Sequence, residues 1–152
     1  MNTPKISWQV YEEVSQDGSS EYIQYKTYTE EGSHTPGSTI IRNIRVWNNY
    51  MGIDNVEDAL NCNLILSFKN FEDNFLLNLI TITINNEEHK LDIDNNGGMI
   101  FIGDLSGVAN SGSSMNYSNY KEFQLKIGPI PNNIRAELKN LYFYLNFNTL
   151  DA

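Results

Sequence analysis

The chain has 152 residues, a length that suits one domain with a single adequate core, so a second domain is not expected. With 10 Lys and Arg against 19 Asp and Glu, its formal charge of -9 repels phosphate backbones and anionic lipid, which sets aside nucleic acid and membrane surfaces as partners. The acidic groups are scattered along the chain and read as a solubilising surface, and no run approaches the roughly 18 apolar residues of a membrane span.

In chain order, Ile6 to Val14 predicts a strand from the alternation of Ile6, Trp8 and Val10, and Tyr22 to Tyr28 predicts a second carried by tyrosines. The segment Tyr11 to Tyr28 is polar on both sides of its tyrosines. It fits an ordinary edge hairpin or a segment that pairs with a neighbouring subunit's sheet edge. Glu30 to Ser38 reads as an exposed loop, followed by a strand over Ile40 to Trp47 and a helix of one or two turns over Ile53 to Ala59. Leu60 to Phe68 is an apolar strand.

Leu79 to Ile93 carries the clearest signal. Ile80, Ile82 and Ile84 alternate with threonine before Asn85-Asn86, and Leu91 and Ile93 alternate after it, as in a hairpin with one buried face. Asp94 to Gly98 then reads as a turn into a short strand over Met99 to Ile102, which makes a three-stranded meander. Val108 to Asn119 is rich in Gly, Ser and Asn and predicts a loop. Strands follow at Phe123 to Ile127 and Leu141 to Phe147, separated by a short helix over Asn133 to Lys139 capped by Asn132 or Asn133. About nine strands with turn signals between them predict an all-β fold, an antiparallel β-sandwich of jelly-roll-like or Ig-like type. Residues 1–152 form one such domain, with 1–38 either an N-terminal extension or an edge hairpin.

Candidate chemistry is sparse. Cys62 is the single cysteine, so no internal disulfide is available, and within its apolar run it reads as a small buried residue. The two histidines, His34 and His89, have no metal-ligand spacing to each other or to Cys62. No Gly-x-Ser-x-Gly elbow is present, and the acid pairs Glu12-Glu13 and Glu87-Glu88 point to opposite faces of a strand. No enzyme and no cofactor is expected. Asp92, Asp94 and Asn96 before Gly97 match the first half of a calcium loop, but the twelfth position is Gly103 and not a bidentate Glu, so a plain hairpin turn competes with the ion. Aromatic residues make up 12% of the chain, enough to raise carbohydrate binding as an alternative function, with Tyr22, Tyr28 and Trp47 as the candidate stacking residues. The plainer reading makes the same rings cross-strand pairs and core.

From Ile40 onward the chain resembles small structural proteins of bacteriophages and phage-tail-like particles from low-GC Gram-positive, particularly clostridial, hosts. The residues that carry the resemblance are Ile44-Arg45-Val46-Trp47-Asn48-Asn49-Tyr50, Asp54 to Ala59 followed by Leu64 to Phe68, and Ile127-Gly128-Pro129-Ile130-Pro131-Asn132-Asn133-Ile134. The resemblance implies a β-sandwich present in many copies in a capsid decoration, neck, tail or baseplate, with other particle proteins as partners and no catalytic residue. A homo-oligomer in the assembled particle is then expected. Residues Met1 to Ser7 show no signal-peptide pattern, so the product would be made in the host cytoplasm and act in the virion or particle.

Overall fold

A computed structural model describes residues 2–11, 22–23, 39–68, 71–95, 97–110, 117–129 and 141–150. They form two antiparallel sheets around one core, the all-β sandwich that the alternation of the sequence implies. The strands are β1 (Ile6–Tyr11), β2 (Tyr22–Ile23), β3 (Ile40–Asn48), β4 (Ala59–Phe68), β5 (Ile80–Ile84), β6 (Glu87–Lys90), β7 (Asp92–Asp94), β8 (Gly97–Leu105), β9 (Tyr120–Ile127) and β10 (Leu141–Asn148). One sheet has the order β2-β1-β3-β9-β5-β6 and the other β10-β4-β8-β7.

The core follows from the period of two. On β3 and β9 the pair Ile44 and Phe123 faces inward, and on β4 so do Leu64, Leu66 and Phe68, all buried. Trp8 on β1 meets Phe143 on β10 with ring centroids 5.6 Å apart, a contact that joins the two sheets. A 3-10 segment over Phe71–Leu79, which the sequence reading did not anticipate, adds the buried Leu76 and Leu77 to the same core.

The hairpin at Asn85-Asn86 forms as the alternation predicts. Both residues have positive φ, 52° and 66°, and Ile84 pairs with Glu87 across them, the two-residue turn that favours asparagine. The meander, however, is divided between sheets. β6 pairs with β5 in the six-stranded sheet, whereas β7 pairs with β8 in the four-stranded one. Leu91 stands between them, buried in the core, so the side chain that looked like a strand's inward position is the corner at which the chain changes sheets. Among the described residues this gives ten strands in place of about nine.

Gly98 fits that corner. A Cβ there would lie 2.7 Å from a terminal methyl of Leu91, so the glycine lets Leu91 close over the start of β8. The helix expected over Ile53 to Ala59 does not form: the segment is irregular, Val56 makes a parallel bridge to Asn2, and Ala59 already belongs to β4. Its backbone is used elsewhere, with Val56 N donating to Gly107 O at 2.9 Å and Glu57 N to Asn2 O at 2.8 Å. The helix expected over Asn133 to Lys139 and the loop Glu30 to Ser38 lie outside the described residues.

Candidate functional site

The side chains singled out for chemistry are placed apart. Cys62 is fully buried beside a bulge where Asn61 has φ 52°, and its thiol donates to Ala59 O at 3.4 Å. Burial, with a smaller contribution from the Asp104 carboxylate, pushes this thiol up from 9.0 to about 11, which keeps it protonated and unreactive at neutral pH. His89 lies on β6 with Glu87 Oε2 3.8 Å from its Nε2, while His34 and Glu12-Glu13 lie outside the described residues. Asp92 and Asp94 stand exposed on the short strand β7, and Asp94 pairs with Gly97 across the turn; Asn96 lies outside the described residues. Among the described residues, no group of three or more His, Cys, Asp or Glu side chains could hold a metal ion.

Trp47 requires a correction. Alternation on β3 turns it away from the core side taken by Val46, the orientation a sugar-stacking ring would need, yet it is only 1% exposed. Tyr120, its partner on β9, lies at a centroid distance of 4.5 Å and Tyr50 meets it edge-on at 4.8 Å. The Arg45 guanidinium sits 4.4 Å from the Tyr120 ring centroid. The faces of Trp47 are occupied by the chain's own rings, so it serves as packing. Tyr22 is on the edge strand β2, opposite Gln9 of β1, and Tyr28 lies outside the described residues.

Asparagines tie down the end of the sandwich beside Trp47. Asn48 accepts from Lys5 N through Oδ1 at 2.9 Å and donates to Glu57 O at 3.0 Å and Leu105 O at 3.2 Å. Asn49, at φ 55°, donates to Asp54 O and Gly107 O, both at 2.9 Å. Asn110 donates to Asn49 O at 2.9 Å. All three are buried, so each amide satisfies carbonyls that loops would otherwise leave unpaired away from water. Their role as buried hubs depends on which distant segments converge there.

Among the described residues, two surfaces stand out as open to a ligand or partner. The first is the outward face of the four-stranded sheet, where Tyr144, Ile65 and Met99 form one cross-strand row and Phe101 lies beside it. Tyr144 is 39%, Met99 37% and Phe101 62% exposed. The row adjoins the edge strand β10, which contains no charged residue and no proline. The second is an open cleft of about 630 Å³ between the Asn85-Asn86 turn and the beginning of β9, lined by both polar and apolar side chains.

Compared with known proteins, the chain matches no family model and no curated protein sequence.

Proposed function

We propose that the chain is a non-enzymatic structural protein of a phage virion or tail-like particle, acting through repeated contacts between subunits. The observation that carries this reading is the contrast between β10 and the edge strands β6 and β7. β6 reads Glu-Glu-His-Lys and β7 reads Asp-Ile-Asp, so both are short and bear charges that discourage strand addition. β10 is eight residues long, uncharged, and continuous with the exposed row of Tyr144, Ile65 and Met99. In a chain of charge -9, this is an edge at which a second subunit can approach without setting like charges opposite one another. Its resemblance to small particle proteins from Ile40 onward supports the same class of function.

The reading predicts that purified particles hold the chain in stoichiometric, symmetry-related copies. In isolation it should form a defined oligomer by light scattering after gel filtration. Tyr144→Lys, which adds a charge to the row without opening the core, should shift that oligomer to monomer. A chain that is monomeric at every concentration and found only free in the host cytoplasm would overturn the reading.

A further inference from the structure

The open cleft is a product of strand lengths. β5 pairs with β9 from Ile80 opposite Ile127 to Thr83 opposite Gln124, and the chain then reverses at Asn85-Asn86. β9 extends back past that point to Tyr120 while remaining paired with β3, so a polar notch opens beside it.

Four side-chain amides line this notch, Asn43 and Gln124 on one side and the exposed Asn85 and Asn86 on the other. Gln124 Nε2 donates to Asn43 Oδ1 at 3.3 Å, which fixes how the two amides face and leaves each with further donor or acceptor capacity. The turn holds Asn85 and Asn86 at positive φ, a conformation that restrains where their side chains project. Ile84 and the rings of Tyr120 and Phe123 also line the cleft, so apolar surface stands beside the amides, as a sugar ring with its C–H faces and hydroxyl edges requires.

The ligand chemistry follows from the wall. A carboxamide both donates and accepts, which matches hydroxyl groups that do the same, and a row of hydroxyls presents them at intervals along one molecule. Lys121 and Glu122 both line the cleft, so its wall carries one charge of each sign, and Arg45 Nε stands 3.7 Å from Glu122 Oε1. An anionic ligand would meet a chain of charge -9, and a large apolar ligand would leave the amides without partners.

We propose that this cleft binds a neutral oligosaccharide, with Asn43, Asn85, Asn86 and Gln124 supplying the hydrogen bonds. The inference stands independently of the particle reading, because it uses the other sheet and a different set of residues.

The test is an amide-resolved NMR titration of the full chain with chitohexaose, cellohexaose and maltohexaose at millimolar concentration. At least one should produce saturable shifts confined to residues around Asn43, Asn85, Asn86 and Gln124. Asn85→Gly keeps the positive-φ turn while removing one amide, and should weaken binding several-fold in a chain that remains folded. Asn43→Ala combined with Gln124→Ala should weaken it by about tenfold or more. The proposal is overturned if none of the three sugars moves these resonances, if the shifts map elsewhere, or if Asn85→Gly and the double variant bind as the parent does.

Discussion

The side-chain amide of Asn119 donates to the backbone carbonyl of Asn48, 71 positions away in the sequence, at 3.2 Å. The same nitrogen reaches Ser106 O at 3.0 Å and Val108 O at 2.9 Å. An amide nitrogen has two hydrogens, so three acceptors share them through at least one three-centre bond. The end of β3, the segment after β8 and the start of β9 therefore meet at one fully buried side chain.

Replacing Asn119 with alanine should remove all three interactions at once. With two N–H groups shared among three acceptors, and about 1 kcal/mol for each net hydrogen bond, the expected loss is about 2 kcal/mol. Urea unfolding should show a lower midpoint with an unchanged slope. A loss well under 1 kcal/mol would mean that the converging segments hold one another without this amide. Asn119→Asp should cost more than alanine at neutral pH, because it sets a negative charge against carbonyl oxygens.

Gly107 gives a second test of the same region. Its nitrogen donates to Asp58 Oδ1 at 2.8 Å, and its carbonyl accepts from Val56 N and from Asn49 Nδ2. A Cβ at this position would overlap the carbonyl oxygens of Val56 and Glu57, which are backbone atoms and cannot swing aside. Gly107→Ala should therefore destabilise by about 3 kcal/mol, the upper end for overpacking, whereas Gly103→Ala meets no neighbouring atom and should show only the cost of its positive φ. Comparing the thermal midpoints of the two variants separates crowding from backbone strain.

How much of this was legible in the sequence depended on the range of the interaction. The Ile80 to Lys90 hairpin is written locally, in alternation and two asparagines that tolerate positive φ, and it forms as read. Leu91 could not be read in the same way, because inward alternation looks identical whether a strand continues or turns a corner into the facing sheet. Ile53 to Ala59 has helical composition, but its amides are claimed by Asn2 and Gly107, which lie far off in sequence. On composition Trp47 reads as a surface ring; the arrival of Tyr120 and Tyr50 hides it. The amide cleft left only a trace, Asn85-Asn86, since Asn43 and Gln124 become neighbours through pairing of β3 with β9.

Tryptophan emission reports directly on this packing. Trp8 and Trp47 are the two tryptophans, and both are buried. Native emission should be blue-shifted and resist quenching by iodide, and both properties should be lost on unfolding. Oligosaccharide added to the native chain should leave the emission unchanged, because neither ring borders the cleft. Trp47→Ala should cost about 3 to 5 kcal/mol by leaving a cavity between Tyr50 and Tyr120. Strong iodide quenching of the native chain would show that one of the two rings is open to solvent.

Cys62 should make stability fall in alkaline solution. In the folded chain, burial raises the thiol from 9.0 to about 11, so the folded state holds its proton over a range where the unfolded state gives it up. Below pH 9 both states carry the proton and this contribution to stability is fully present. As pH rises from 9 towards 11 the unfolded state is increasingly favoured by ionising, and beyond 11 both are thiolates and the loss is complete. The gap corresponds to roughly 2 to 3 kcal/mol at about 1.4 kcal/mol per tenfold change. Urea midpoints measured between pH 8 and 11 should thus decline more steeply for the parent than for Cys62→Ala, which retains other alkaline effects but not this one. The same burial predicts that the native thiol reacts slowly with a disulfide reagent at pH 8 and at full speed in denaturant. Equal alkaline slopes in parent and variant, or rapid reaction of the native chain, would place Cys62 at the surface and remove it from the core.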